Sequence, residues 1–308
     1  MGERMQGGAT TWPWRARMSW IAMLALGLAS GAACAQPAEI NWYFPDLPPH
    51  YIVDGPRHGE GFHDQALQGV FMPALPAFHH TMQVAPMLRL LQIMKTDPRA
   101  CAPSAVPSPE RREFMVFSRP TIVMLPPGIF VRRADAKRVA PFLDGAGKLS
   151  LTRLLRDGGM TLGVPDGRLY GGKVDALLDQ YQNARNVYSL KLQEAERRLV
   201  EMTSIGHVDA VLGYSYEAAY HLAASDAVKR EPLQFYRLAE QPDYMLSHVA
   251  CAKGKQGDEV IRAINAALAR PATLARLEAQ YKAWLDPAAL AELQRVEKLN
   301  PLKSGDLQ

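Results

Sequence analysis

AVPSPERREFMVFSRPT, Ala105 to Thr121, decides how this chain is read. A Pro-rich turn leads into Glu110, Arg111 and Arg112, and these run directly into apolar residues ending at Phe117. A charged tip on the mouth of a strand is either a solvated hairpin or an arginine held out toward an anion. Arginine suits the second role because its planar fork meets a carboxylate in two parallel hydrogen bonds. A surface arginine paired with Glu110 or Glu113 is the plainer alternative, and composition alone favours it.

The rest of the chain sets the context. It has 308 residues and a formal net charge of +4. Basic residues are scattered among acids with no run that would track a phosphate backbone, which argues against a nucleic-acid partner. Arg15 and Arg17 precede MSWIAMLALGLASGAACA, an apolar stretch that ends in small residues. That order is the pattern of a secretory signal, with Ala33, Cys34 and Ala35 as the small-x-small site. Residues 1–35 are therefore expected to be removed before Gln36, leaving a periplasmic protein; Met18 would open a shorter signal equally well. The alternative is a lipid anchor on Cys34. The run is short for a membrane span and no second one follows, so no stable membrane insertion is expected. Of the three cysteines, Cys101 and Cys251 remain in an oxidising compartment. There they either bond to each other or stay as two separate buried thiols.

Strand-like and helix-like segments alternate. EINWYF reads as a first strand, FHDQALQGVFMPALPA as a helix limited by Pro73, and HTMQVA as a strand. Met87, Leu90, Leu91 and Met94 recur at helical spacing, RACAPSAV is strand-like, and EFMVFSRPTIVMLPPGIFVRR reads as one long extended segment. The middle repeats the pattern: KLSLTRLLRDG is a helix stopped by Gly158, followed by the strand MTLGV, the helix KVDALLDQYQ, the strand NVYSL, a helix ending at Gly206 and the strand VDAVLGY. SYEAAYHLAAS is a further helix that Ser215 can cap. Two strands, PLQFYRLAE and YMLSHVACAKG, precede a helical end in which Pro271 and Pro287 mark helix starts. This is an α/β pattern, sheets with crossover helices.

Several motifs could carry chemistry. Gly167, Gly172 and Lys173 satisfy the spacing of a nucleotide-binding loop, but Val174 stands where a Ser or Thr should hold magnesium. The Gly-rich turn can still aim N–H groups and a helix dipole at an anion; alternatively the glycines only make the turn. GYSYE lacks the second glycine of a nucleophile elbow. His58, Glu60, His63 and Asp64 share a loop without the tight spacing of a metal site, so no metal and no cofactor is expected.

Segment order then points to a family. LRLLQIMKTDPRACAPSAVPSPERREFMVFSRP resembles the first lobe of family 3 periplasmic solute-binding proteins, where a helix, a strand, a Thr/Ser-x-Glu-Arg turn and a Phe-Ser-x-Pro hinge strand follow in that order. Ser108, Glu110, Arg111, Phe117, Ser118 and Pro120 fill those places. GHVDAVLGY is similar to the second lobe's Gly-x-x-Asp-Ala-Val strand. YMLSHVACAKG with IRAINAALA and YKAWL is similar to the closing strand, helix and Lys-x-Trp ending, and PPHYIVDGPRHGEGFHDQAL to the opening loop and first helix.

The resemblance implies a type II periplasmic binding protein fold: two α/β lobes, each a mixed sheet flanked by helices, joined by two hinge strands. Residues 36–121 and 244–308 would form lobe 1, and residues 122–243 lobe 2. Cys101 and Cys251 would then lie on neighbouring strands of one lobe, in agreement with a disulfide. In amino-acid-binding members the arginine of the Glu-Arg turn takes the ligand carboxylate, which falls on Arg111. The helping threonine is Val106 here, and the aspartate that takes the ligand amine is Tyr214. An anionic or polar solute is therefore expected rather than an ordinary amino acid, since a buried ammonium without a carboxylate is costly. Arg111 and Ser108 would hold it from one lobe, and Arg168, Tyr170 and Gly171 from the other. Trp42, Tyr51 and Tyr214, with Tyr43 and His50, would supply walls. The implied partners are this small molecule and an ABC permease or a sensor. The alternatives are a ligand-free structural or regulatory module on the same fold, or an enzyme on it.

Overall fold

The computed structural model describes residues 38–192, 194–223 and 231–299. The signal segment, its Cys34 and the last residues lie outside the described residues. Five strands form a first sheet: β1 (Glu39–Phe44), β2 (His79–Val84), β3 (Ala100–Ala105), β4 (Met115–Met124) and β10 (Met245–Ala252). The second sheet holds β5 (Gly128–Arg132), β6 (Leu162–Pro165), β7 (Val187–Leu190), β8 (Ala210–Gly213) and β9 (Leu233–Arg237). Their orders are β2-β1-β3-β10-β4 and β7-β6-β8-β5-β9. In each sheet four strands run in one direction, and one antiparallel strand, β10 or β5, is inserted between the last of them and the other three. Two mixed sheets flanked by helices make a two-lobed α/β molecule.

The helices follow from local signals. On the first lobe these are α1 (Phe62–Ala66), α2 (Met87–Thr96) and α3 (Pro109–Phe114). The second lobe carries α4 (Ala136–Val139), α5 (Leu151–Asp157), α6 (Gly172–Tyr181), α7 (Ala195–Ser204) and α8 (Glu217–Ala223). The chain then closes on the first lobe with α9 (Lys255–Leu268), α10 (Pro271–Lys282) and α11 (Pro287–Leu299). Pro271 and Pro287 are the first residues of α10 and α11, where the missing N–H is harmless. Gly158 ends α5 at φ 76°, a left-handed position that glycine takes without a Cβ clash. On α2, Leu90 and Met94 are buried at i and i+4 against Tyr43, Ala100 and Ala250.

Two expectations need correction. EFMVFSRPTIVMLPPGIFVRR is not one extended segment: it is the last turn of α3, then β4 and β5, which belong to different sheets. Pro126 and Pro127 lie at the crossing and cannot donate to a ladder, so pairing stops there. Ser215 does not cap α8; its Oγ is buried without a hydrogen-bond partner among the described residues, and the Glu217 carboxylate receives the Tyr214 N–H instead, at 2.9 Å.

The disulfide is present. Cys101 on β3 faces Cys251 on β10 in register, with an S–S distance of 2.03 Å and a sequence separation of 150. Beside it, β10 shifts register against β4 between His248 and Ala250. Ser118 repairs the ladder at that bulge: its hydroxyl accepts the Val249 N–H at 3.0 Å, and its carbonyl lies 2.7 Å from His248 Nδ1.

Candidate functional site

Arg111 lies on α3, a short helix rather than an open turn. Ser108 is its cap: the Arg111 N–H donates to Ser108 Oγ at 3.2 Å. The cap holds the arginine's Cα, and the guanidinium folds back so that one Nη donates to Val106 O at 2.9 Å. Val106, in the place of a helping threonine, thus contributes its carbonyl. Arg111 is half-buried, and no carboxylate of the described residues lies within ion-pair reach of it. Burial lowers its pKa, while Asp175 and then Tyr214, both on the second lobe, act in the opposite direction. The guanidinium thus lies within electrostatic reach of Asp175 and Tyr214 on the other lobe and, among the described residues, pairs with no carboxylate.

The second lobe presents the turn after β6. Asp175 on α6 reaches back and takes two of its N–H groups: Tyr170 N at 2.7 Å and Gly171 N at 2.9 Å. Gly171 sits at φ 94°, which the turn requires of a glycine. In this arrangement the Gly171 N–H expected to meet a solute anion is already bonded to Asp175. Tyr170 is buried in the second lobe's core and its hydroxyl donates to Leu212 O at 3.3 Å.

Arg168 leaves the same turn and enters a buried ion pair. Its two Nη atoms donate to the two carboxylate oxygens of Glu217, one of them at 3.2 Å, and Glu196 lies 3.5 Å from it. The guanidinium also lies over the rings of Tyr170 and Tyr214, with centroid distances of 5.2 and 5.4 Å. Burial alone would lower the Arg168 pKa; Glu217, followed by Tyr170 and Glu196, raises it well above the usual range. Arg168 is thus a fixed cation already matched by the protein's own carboxylate.

Tyr214 lies under Arg168 and within electrostatic reach of Arg111. Burial raises its pKa to about 12, with Arg168 and Arg111 pulling down and Glu217 and Asp175 pushing up, so it keeps its proton. Its ring stacks on Tyr216 at 5.5 Å, and Tyr216 inserts into the first lobe against Phe62 and Tyr281 at 5.7 and 5.6 Å. The Tyr216 hydroxyl meets His50 Nε2 of the opening loop at 2.9 Å. Burial, then His63 and Arg168, hold the His50 pKa well below its usual value, so this imidazole is neutral, 3.7 Å from Glu217. Leu88 of α2 completes the contact: a Cβ on Gly167 would stand 3.7 Å from it.

Trp42 and Tyr51 belong to the first lobe's core. Trp42 is wholly buried and its indole N–H donates to His80 Nδ1 at 3.0 Å. Tyr51 stacks on Phe44 at 4.9 Å, and its buried hydroxyl has no hydrogen-bond partner among the described residues. His63 is buried beside it, and Asp64 accepts the N–H groups of Ile52 and Gly61, which fixes the opening loop. Asp175, Tyr216 and Glu217 were not singled out as site residues. The signals were local: an acid four residues after Gly171 that can reach back, and an acid three residues after Tyr214.

The two sheets share one strand order, and each lobe sends side chains into the cleft between them. The chain carries the type II periplasmic binding protein fold. The binding-protein fold is shared with the periplasmic VFT2 domain of Bordetella pertussis BvgS, at a TM-score of 0.55 and 17% identity over 80% of this chain and 93% of that one. A histidine kinase sensor domain with similarity to periplasmic binding proteins matches at 0.57 and 13%, over 80% of this chain and 96% of that one. The amino acid ABC transporter substrate-binding protein AbpA from Streptococcus pneumoniae, bound to L-arginine, matches at 0.53 and 15%, over 83% and 96%. At these identities the likeness is one of fold. No protein-family model and no curated protein matches the chain. Among the described residues no helix is long and apolar enough to cross a membrane.

Proposed function

We propose that this is an exported solute-binding protein whose two lobes close around a small molecule bearing an anionic group. The solute is delivered to an ABC importer or presented to a sensor, and no reaction is catalysed. One observation carries the reading: Arg111 is a half-buried guanidinium within electrostatic reach of the other lobe, with no carboxylate of the described residues in ion-pair reach. Such a charge is stabilised when an anion binds, and a ligand touching both lobes shifts the population toward the closed form. Export rests on the sequence of residues 15–35. The fold neighbours, binding proteins and sensor domains, support a binding role.

The test is a thermal-shift screen of the purified chain against carboxylates, phosphates and amino acids. A true solute raises the melting temperature through mass action, and Arg111→Ala abolishes the rise. A rise that survives Arg111→Ala would remove the arginine from the site.

A second reading has its own support. The His50–Tyr216 hydrogen bond and the Arg168–Glu217 pair fill the cleft with the chain's own groups. A regulatory module that closes without a solute would look the same, and it predicts that no member of the screen binds.

A further inference from the structure

We infer that Glu217 sets the charge of the solute, and that the cleft takes a molecule with one anionic group and refuses a second. This rests on the solute-binding reading above and adds which anions are accepted.

Arg168 lies over the Tyr214 ring, 5.4 Å from its centroid, and the positive charges of Arg168 and Arg111 both act on the Tyr214 hydroxyl. Left to themselves, they would form a receptor for a dianion, since each fork takes one carboxylate. The chain removes one of them. Glu217 meets both Nη atoms of Arg168, and the Tyr214 N–H donates to the same carboxylate at 2.9 Å, so Glu217 is held on three sides. It is 2% exposed, and Glu196 stands on the other flank of Arg168. Two of the turn's backbone donors, the N–H groups of Tyr170 and Gly171, are taken as well, by Asp175. Arg111 is left as the one cleft guanidinium, among the described residues, that meets no acid. A second negative charge on a solute would therefore meet Asp175, Glu196 and Glu217 beside an Arg168 that is already paired. Like charges at such separations are strongly disfavoured in a partly dry site.

The pairing also explains why Glu217 follows Tyr214 by three residues. α8 begins at Glu217, so its carboxylate turns back over the end of β8 and lies against Gly213, where an added Cβ would stand 2.9 Å from Oε2. Glycine at that position gives the carboxylate its place beside Arg168.

The experiment measures dissociation constants by calorimetry for probes matched in skeleton: hexanoate against adipate, and benzoate against terephthalate. The wild-type chain binds the monoanion tighter by about tenfold or more, the ratio that one unfavourable charge contact of ordinary size gives. Glu217→Gln frees Arg168 and narrows or reverses that ratio. The double variant Arg168→Met/Glu217→Gln removes the freed cation and restores the wild-type preference. A purely structural role for Glu217 would not give that restoration. If Glu217→Gln fails to melt cooperatively, the wild-type ratio and the double variant decide. Wild-type protein that binds the dianions as tightly overturns the inference, as does a folded Glu217→Gln with an unchanged ratio. Loss of all binding in Arg111→Ala bears on the solute-binding reading alone. If no probe binds the wild-type chain, both fall.

Discussion

The hydroxyl of Tyr216, on the second lobe, lies 2.9 Å from His50 Nε2 on the first, and both residues are buried. The contact ties the lobes at the floor of the cleft, because the Tyr216 ring is also packed on Phe62 and Tyr281. Tyr216→Phe leaves a buried imidazole nitrogen unpaired and is expected to destabilise the chain by about 1–3 kcal/mol. Tyr216→Ala also empties the ring's site and is expected to cost about 3–5 kcal/mol. Urea unfolding measures both. Small-angle scattering should show a larger radius of gyration for the alanine variant, and equal radii would mean that Tyr216 does not hold the lobes together.

The Arg168–Glu217 pair gives an asymmetric prediction. Arg168→Met leaves a carboxylate buried with its partner gone, and a loss of about 3–5 kcal/mol is expected. The double variant Arg168→Met/Glu217→Gln removes both charges and should recover part of that loss, because desolvation of the pair is removed with its attraction. Denaturation midpoints check this; a double variant less stable than Arg168→Met contradicts it.

Acid should weaken the fold through its buried histidines. Burial lowers His63 to about 3, and burial followed by Arg168 and Arg197 lowers His221 to about 3. The unfolded chain takes up these protons near pH 6.5 and the folded chain does not. Their contribution is therefore fully present above pH 6.5 and falls by about 1.4 kcal/mol per histidine for each pH unit below it. His50, also lowered, acts in the same direction. Asp64 opposes them: burial raises it to about 6, so it takes up its proton first in the folded chain and adds stability as pH falls from 6 to its unfolded value. His63 and His221, set against Asp64, give an expected loss of about 1.4 kcal/mol per unit between pH 6 and 4, to which His50 adds and from which the raised Asp46 and Glu217 carboxyls subtract. Urea midpoints at pH 7 and pH 5 test it; greater stability at pH 5 contradicts it.

The disulfide closes a loop of 150 residues that contains the whole second sheet. Replacing Cys101 and Cys251 by alanine should lower stability by about 2–4 kcal/mol, mainly by freeing the unfolded chain. The folded double variant should keep its solute affinity, since the bond lies in the first lobe's sheet and away from Arg111.

Much of the fold was legible because its signals are local. Pro271, Pro287 and Gly158 mark helix ends by backbone chemistry alone. The order of the segments around Ser108, Arg111 and Pro120 carried the two-lobed resemblance. The crossing between sheets was hidden because apolar residues continue on both sides of Pro126 and Pro127. The site was less legible, because pairing is a tertiary fact. Arg168 and Glu217 are 49 residues apart and His50 and Tyr216 are 166 apart. Nothing in their spacing says that one arginine is neutralised and the other is not. Trp42 illustrates the same limit: its place beside the cleft strand suggested a wall, whereas strand alternation turns it into the core, onto His80.

Native mass spectrometry of the purified chain tests the solute-binding reading most directly. The expected result is a bound small acid that is lost on gentle activation and absent from folded Arg111→Ala. An identical adduct on both proteins would contradict it, as would a wild-type chain that stays free of adduct and unshifted by every anion in the screen.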